Sequence, residues 1–328
     1  MKKRYWIAGA YGLAGAALAV KLLTRPRDVE WEAHAPRLPH ADKSRFVEIE
    51  GVRVHVQEAG DAGNPTLLLI HGFCASNFVW SDVLLPLADE GFHVVAPDLV
   101  GFGFTGKPKD GEYTIEAQAR MIVGLMDELG IDSATFIGSS YGGAVSAVCA
   151  LDYPERVERL VLVAAVSNDD VKRMPLLRLA AAPLMGDLLS PVMIDIRQLV
   201  KRRMKKVYAA NNGHLLDEAR MAAHHGPLRA SSTHRAILTT LRRWSAARIE
   251  TEAARIKQPT LLIWGGQDNS VPLKNGERLH ELIPHSRLFV FPNSGHLPQE
   301  ERPAEFVSLV TEFCRADRIQ ELGFRIQG

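Results

Sequence analysis

Phe136-Ile137-Gly138-Ser139-Ser140-Tyr141-Gly142-Gly143 is the stretch that decides the fold of this chain. The apolar, β-prone residues 134–137 lead directly into the pattern G-x-S-x-G, and a helix rich in small residues follows at once. Glycine is needed on both sides of Ser140 because larger side chains in so tight a turn would collide with the neighbouring strand and helix. We therefore expect the Ser140 hydroxyl to be exposed at the start of a helix, where developing negative charge is stabilised.

A serine at such a turn needs partners, because its hydroxyl is a weak nucleophile until a base removes the proton and a third group orients that base. Asp268 follows one predicted strand, and His296 follows the next predicted strand. The carboxyl ends of parallel strands meet at one edge of a sheet, so we expect Ser140, Asp268 and His296 to converge there. Asp169 or Asp170, after an earlier strand, is the alternative acid.

Acyl transfer through a serine also requires hydrogen-bond donors for the oxyanion of the tetrahedral intermediate. The backbone N–H of Tyr141, which follows the candidate nucleophile, is the first expected donor. The second is expected from the loop after the apolar strand 66–70, where the backbone N–H of Phe73 is in the right place. We expect no metal or organic cofactor, because this chemistry needs none and the three cysteines form no C-x-x-C pair.

The order of the elements predicts the fold class. Strands alternate with helices over residues 45–167 and again over residues 256–328, which predicts a mostly parallel α/β sheet flanked by helices. Residues 168–255 interrupt this alternation with a segment that lacks strand-like runs and is rich in helix formers. We interpret that segment as an inserted helical cap. Its methionines are expected either to line an adaptable apolar pocket or to pack the cap's own core.

Five motifs in a fixed order make the chain resemble proteins of the α/β-hydrolase fold over roughly residues 45–320. These motifs are His71-Gly72-Phe73, the loop 98–103, the stretch 138–143, Gly265-Gly266-Gln267-Asp268 and Gly295-His296. Epoxide hydrolases and haloalkane dehalogenases share the loop pattern but carry an aspartate at the position of Ser140. The layout is similar to membrane-bound monoacylglycerol lipase-like hydrolases, and the elbow and cap also resemble serine C–C hydrolases of aromatic ring-fission products. The fold alone does not select between these activities.

The distribution of charge favours some partners over others. The net charge is +1, yet residues 168–257 carry 17 Lys and Arg against 8 Asp and Glu. No recognition motif or aromatic-interleaved basic stripe accompanies these charges, which argues against a nucleic acid partner. Nothing in the sequence indicates an oligomeric state.

The N-terminal segment predicts attachment to a membrane. Residues 1–27 carry six Lys and Arg and no acid, and residues 6–20 are uncharged. We interpret residues 1–23 as a single N-terminal membrane anchor, followed by an extended, proline-containing linker over residues 24–44. A cleaved export signal with a site at Ala17-Leu18-Ala19 is the alternative.

These observations together predict a membrane-associated serine hydrolase that cleaves a carboxylic ester or lipid with an apolar acyl group. One alternative is an enzyme that hydrolyses a C–C bond in a dienoic keto acid, whose carboxylate the basic cap would bind. Another is a ligand-binding receptor or scaffold that retains the hydrolase fold. Catalytic turnover separates the receptor from the two enzymes, and the preferred substrate separates the enzymes from each other.

Overall fold

The computed structural model describes residues 27–170 and 175–316, together with residues 12, 15, 16, 18 and 19. In this part of the chain one sheet contains eight strands. In chain order they are β1 Ser44–Ile49, β2 Val52–Ala59, β3 Thr66–Ile70, β4 His93–Pro97, β5 Ala134–Ser139, β6 Val157–Val163, β7 Thr260–Gly265 and β8 Ser286–Phe291.

The α-helices of the described residues surround this sheet and fill the interval between β6 and β7. They are α1 Trp31–His34, α2 Ser81–Asp89, α3 Ile115–Leu129, α4 Tyr141–Asp152, α5 Pro175–Ala181, α6 Met185–Asp195, α7 Arg197–Lys205, α8 Glu218–His225, α9 Ser231–Arg242, α10 Ala247–Glu252, α11 Leu273–Leu282, α12 Pro298–Glu301 and α13 Pro303–Arg315.

The sheet is mostly parallel, as the sequence predicts. Its strand order is β1-β2-β4-β3-β5-β6-β7-β8, and only the pairs β1–β2 and β2–β4 are antiparallel. The parallel pairs run from β4 through β3, β5, β6 and β7 to β8. The predicted fold class is therefore confirmed, and the loops after β3, β5, β7 and β8 all leave the same edge of the sheet.

Both faces of the sheet are covered by apolar packing. Every residue of β3 is buried, and alternate side chains point to opposite faces of a strand. Leu68 and Ile70 belong to the core cluster that includes α3 and α4, whereas Leu67 and Leu69 belong to the cluster that includes α2 and α13. A continuous apolar strand of this kind is stable only between two layers of helices.

Helices α5 to α10 all lie between β6 and β7, in the interval that the sequence analysis assigned to a cap. No strand occurs among the described residues of this interval. The two expectations for its methionines are both met: Met193 and Met204 line a cavity against the sheet, while Met221 lies in a small apolar cluster that includes Val200 and Leu216.

The segment before β1 differs from the extended linker expected over residues 24–44. Its described part forms the short helix α1 and two 3₁₀ turns. The indole of Trp31 lies 5.8 Å from the ring of Phe46, 4.7 Å from that of His55 and 5.0 Å from that of Phe104, measured between centroids. These contacts of the half-buried Trp31 explain why the segment packs against the sheet, because aromatic contacts of this kind are stabilising.

The predicted membrane-associated localisation through residues 1–23 requires a correction. In the part of the chain that the structure describes, no helix is both long enough and apolar enough to cross a membrane. The longest helix there, α3, has 15 residues and spans about 22 Å, whereas the hydrocarbon core of a bilayer is about 30 Å thick. Most of residues 1–23, on which the alternative of export after signal cleavage also rested, lie outside the described residues.

The turn between β5 and α4 brings the helix backbone very close to β3. A Cβ atom on Gly142 would lie 2.1 Å from the carbonyl oxygen of Ile70, and one on Gly138 would lie 2.3 Å from the carbonyl oxygen of Gly142. No side chain fits at such distances, so Gly142 sets the separation between α4 and β3, and Gly138 sets that between α4 and β5. These separations fix where Ser140 leaves the sheet.

A buried carboxylate joins the loop after β8 to the helical interval. Glu301 is 4% exposed. One of its oxygens accepts a hydrogen bond from the Gly295 N–H at 2.7 Å, and the other accepts bonds from the Ala209 N–H at 2.9 Å and from Asn212 Nδ2 at 2.6 Å. A carboxylate only accepts hydrogen bonds, so it suits a position that is surrounded by donors.

Replacing Gly142 with Ala is expected to destabilise the protein by at least about 2 kcal/mol, because the added methyl group overlaps rigid backbone. Urea unfolding followed by circular dichroism measures this change. Gly213→Ala is the matched control, since no atom lies within 4 Å of a Cβ placed there, and it should change the free energy of unfolding by less than about 0.5 kcal/mol. Equal unfolding midpoints for the two variants would contradict the packing described for the turn.

Replacing Glu301 with Gln is expected to lower the free energy of unfolding by at least about 2 kcal/mol, because the amide nitrogen would face N–H donors in a buried site. The control is Glu305→Gln. The Glu305 side chain is 64% exposed and lies 3.8 Å from Arg302, so its replacement should have almost no effect. If both variants unfold at the same urea concentration as the unmodified protein, Glu301 does not hold the loop as described.

Candidate active site

Ser140 lies at the turn between β5 and α4 in a backbone conformation that few residues other than glycine adopt. Its φ is +55° and its ψ is −115°, which costs on the order of 1–3 kcal/mol. Hydrogen bonds hold this conformation: the Ser140 N–H donates to the Val163 carbonyl at 2.8 Å, and the Ser140 carbonyl accepts from Gly143 and Val166, each at 3.0 Å. The strained conformation is thus held by β6, by the loop after it and by the first turn of α4, and it places Ser140 on the wall of a cavity.

Asp268 and His296 form a buried hydrogen-bonded pair. The His296 Nδ1–H donates to Asp268 Oδ2 at 2.7 Å, and the Asp268 side chain is fully buried. Asp268 Oδ1 accepts bonds from the backbone N–H groups of Ser270 and Val271 at 2.7 and 3.0 Å, so the carboxylate is fixed on both oxygens. The backbone N–H of His296 donates to the Val207 carbonyl at 2.7 Å. This bond ties the loop to the helical interval.

The structure brings Ser140 and His296 together on the wall of one cavity. Because the Nδ1–H of His296 donates to Asp268, Nε2 is the ring nitrogen that remains free to accept a proton. None of the hydrogen bonds among the described residues joins Ser140 directly to His296. Contacts of this kind are often long without a bound substrate and shorten when one binds.

The loop after β3 passes directly over the candidate nucleophile. A Cβ atom on Gly72 would lie 3.1 Å from the Cβ atom of Ser140, so a side chain there would push the loop or Ser140 aside by a few tenths of an ångström. His71 anchors the loop: its Nδ1–H donates to the Gly72 carbonyl at 2.8 Å, and its Nε2 accepts from the Leu99 N–H at 2.9 Å. Burial lowers the pKa of His71, against the opposing charge of Asp98. The neutral ring therefore holds the peptide unit before Phe73 beside Ser140.

Tyr141 occupies the first position of α4. The N–H of a first helical residue has no acceptor within its own helix, so this donor is available to a group bound at Ser140. The Tyr141 side chain is fully buried, with its ring 5.1 Å from Trp244 and 6.2 Å from Phe73 between centroids. This aromatic packing fixes the start of α4 under the cavity.

A second buried carboxylate, Asp98, organises the loop after β4. It accepts hydrogen bonds from His55 Nδ1 at 2.7 Å and from the N–H groups of Asn77 and Phe104 at 2.7 and 2.8 Å. Burial opposes ionisation, but the hydrogen bond and charge of His55 hold the pKa of Asp98 below its usual range. The carboxylate therefore stays ionised and fixes the loop that supports His71.

The cavity has a volume of about 220 Å³ and an apolar wall. The sheet side and the helical interval both contribute to this wall, the latter through Met193, Met204 and Leu228 among others. Cys74 also lines it, but burial raises the pKa of this thiol to about 12. The thiol is therefore protonated near neutral pH, which leaves the Ser140 hydroxyl as the nucleophile next to an imidazole.

The structure does not bring the alternative acids to His296. Asp169 accepts a hydrogen bond from the Ala246 N–H at 2.7 Å, and the Asp170 N–H donates to Asn168 Oδ1. Sequence analysis assigned no role to Glu300 and Glu301, although both are almost completely buried behind the His296 loop. Acids at the start of a helix are usually exposed and favourable there, so nothing in the sequence marks these two as buried.

Known proteins are similar to this chain in sequence and in fold. The chain is 30% identical over 292 residues to a 2-hydroxy-6-oxo-2,4-heptadienoate hydrolase of Pseudomonas putida, covering 85% of this chain and 98% of that protein. A crystal structure of a membrane phospholipase A is 26% identical, with a TM-score of 0.68, and the match covers 95% of this chain and 98% of that one. The structure of Est816, described as an N-acyl homoserine lactone degrading enzyme, is 25% identical with a TM-score of 0.67, covering 82% of this chain and all of that one.

The match to the family described as the alpha/beta hydrolase fold extends over residues 65–303. It includes the loop after β3, the turn at Ser140 and the loops that carry Asp268 and His296. This protein is therefore a hydrolase that belongs to the alpha/beta hydrolase fold family.

Proposed function

We propose that this protein hydrolyses carboxylic esters with an apolar acyl group through Ser140, His296 and Asp268. The observation that carries the proposal is the 2.7 Å hydrogen bond between His296 and the buried Asp268, on the same cavity that Ser140 lines. An imidazole held by a buried carboxylate is the base that a serine nucleophile requires.

The proposed reaction begins when the Ser140 oxygen attacks the ester carbonyl and His296 Nε2 takes the hydroxyl proton. Asp268 keeps the Nδ1 proton in place and stabilises the imidazolium that forms. The backbone N–H groups of Phe73 and Tyr141 donate to the oxyanion. His296 then protonates the leaving alcohol, and water repeats the same steps on the acyl-enzyme to release the acid.

Two observations support an ester as the substrate. The cavity wall is mainly apolar and includes flexible methionine side chains, which suits an acyl chain. The similarity to a membrane phospholipase A and to a lactone-degrading enzyme also relates the chain to proteins whose described substrates contain an ester bond.

A second candidate function is hydrolysis of a C–C bond in a dienoic keto acid. The similarity to a 2-hydroxy-6-oxo-2,4-heptadienoate hydrolase favours it, and so does Arg203, which lines the cavity and would bind a carboxylate. A direct comparison of kcat/KM for a ring-fission product and for p-nitrophenyl esters from acetate to palmitate separates the two functions. If the protein binds a ligand tightly but turns over neither class, a receptor role replaces both.

Ser140→Ala is expected to abolish turnover of p-nitrophenyl esters while the fold survives, because the nucleophile is lost and no buried bond is removed. Initial rates and thermal unfolding of the purified variant test this. Ser139→Ala removes the neighbouring hydroxyl, at the end of β5, and should retain turnover. Loss of activity in the Ser139 variant with retention in the Ser140 variant would contradict the assignment.

Asp268→Asn is expected to lower kcat by about 10²–10⁴-fold, because the amide no longer stabilises the imidazolium or fixes its tautomer. Asp169→Asn is the control, since Asp169 accepts a hydrogen bond from Ala246 and none from His296. Steady-state kinetics with one ester compare the two. A larger loss of kcat in the Asp169 variant would assign the role of acid to Asp169 instead.

A further inference from the structure

A second histidine–carboxylate pair lies on the wall of the same cavity. His224, in α8, is 6% exposed and lines the cavity. Its Nε2 lies 3.4 Å from Glu300 Oε1, and the Glu300 side chain is 1% exposed. The ring of Phe78 packs edge-on against the imidazole at 4.9 Å between centroids. The arrangement resembles the pair His296–Asp268, but it lies on the helical side of the cavity.

Two donors converge on one oxygen of Glu300, and its other oxygen faces His224. The Tyr208 hydroxyl donates to its Oε2 at 2.5 Å, and Arg220 Nη1 donates to the same oxygen at 2.8 Å. Burial raises the pKa of Tyr208, so the phenol remains a donor. Burial opposes ionisation of Glu300, but its interaction with His224, the charge of Arg220 and the hydrogen bond from Tyr208 hold the pKa of Glu300 below its usual range.

In this buried cluster, carboxylates outnumber guanidinium groups. Arg220 also donates to Asp82 at 2.7 Å, so one guanidinium serves two carboxylates, and Glu301 adds a third carboxylate close by. A carboxylate only accepts hydrogen bonds, so the Nε2–H of His224 is the group that suits Glu300, whose Oε1 lies 3.4 Å away. A carboxylate bound on the cavity side would accept from the Nδ1–H of the same ring.

The charge of the cavity wall has one sign only. Apart from His296, its ionisable side chains are His224, Arg203 and the protonated thiol of Cys74, and no Asp or Glu is among the described residues that line it. Arg203 is exposed and donates to the Met193 carbonyl. An apolar cavity whose polar wall groups include a histidine and an arginine but no acid suits a chain that ends in an anion.

We propose that His224, backed by Glu300, binds a carboxylate at the far end of the acyl chain, so that the preferred substrates are half-esters of dicarboxylic acids. This inference rests on the proposed ester hydrolysis at Ser140, and it names the substrate class of that site. His224 contributes to specificity by binding the end of the substrate that does not react, whereas Glu300 acts through His224 as a positioning residue. The excess of Lys and Arg over residues 168–257 attracts such anions.

The test compares two substrates with acyl chains of equal length, mono-p-nitrophenyl suberate and p-nitrophenyl octanoate. They differ only in a terminal carboxylate in place of a methyl group. The unmodified protein is expected to hydrolyse the suberate with at least the kcat/KM of the octanoate. His224→Gln should lower the suberate-to-octanoate ratio of kcat/KM by about 10- to 100-fold, mainly through KM, because a charged hydrogen bond to a buried anion is lost.

Two further variants separate this role from a structural one. His214→Gln changes an exposed histidine of the same helical interval and should leave the ratio unchanged. Glu300→Gln should lower the ratio in the same direction as His224→Gln, because the carboxylate that orients the His224 ring through Nε2 is removed. A purely structural effect would lower the rates for both substrates together and leave their ratio as it was.

Failure of the inference and failure of the proposed function give different results. If Ser140→Ala retains ester turnover, the proposed function is wrong whatever the ratio shows. If turnover depends on Ser140 but the ratio in His224→Gln stays within about twofold of the unmodified protein, the inference is wrong. If Arg203→Gln lowers the suberate-to-octanoate ratio and His224→Gln does not, the anion binds at Arg203, and the inference is also wrong. Calorimetric binding of suberate and octanoate to the Ser140→Ala protein provides a readout without catalysis, with weaker suberate binding expected when His224→Gln is added.

Discussion

The contact between α4 and β3 is the constraint on which the rest of the site depends. With Gly142 placed so that a Cβ would lie 2.1 Å from the Ile70 carbonyl oxygen, the helix can begin only where it does. Ser140, directly before the first helical residue Tyr141, then takes a φ of +55°. The strain is stored in a single residue and is offset by the hydrogen bonds to β6 and to the loop after it. Because β3, β5, β7 and β8 all run parallel in this sheet, their following loops bring His71, Ser140, Asp268 and His296 to one edge.

Buried carboxylates connect this edge to the helices above it. Asp98 fixes the loop that supports His71, Asp268 holds His296, and Glu301 ties the His296 loop to residues 209 and 212. Each carboxylate is surrounded by donors, which is what makes its burial tolerable. The helical interval is thus more than a cover over the cavity. It contributes the Val207 carbonyl that accepts from the His296 N–H, and movement of this interval would move the imidazole as well.

Much of the fold and of the candidate site could be predicted from sequence because the signals are local. The apolar strand before Gly138, the glycines around Ser140, and acids or histidines directly after strands are all readable from neighbouring residues, and the sheet topology follows from the alternation of elements. Glu300, Glu301 and His224 could not be identified in this way, since their partners lie up to 92 residues away and their burial depends on tertiary packing. The packing of Trp31 against the sheet was missed for the same reason. The membrane localisation rested on residues 1–23, and the described helices do not support it.

Covalent labelling tests the central claim most directly, because it reports on the nucleophile and its base without any assumption about the substrate. The protein is incubated with a fluorophosphonate, and the labelled peptide is identified by mass spectrometry over time. We expect a single adduct on Ser140, no adduct in the Ser140→Ala protein, and labelling slowed by about 10²-fold or more in a His296→Gln protein. An adduct on another residue, or labelling of Ser140 at an unchanged rate without His296, would contradict the account.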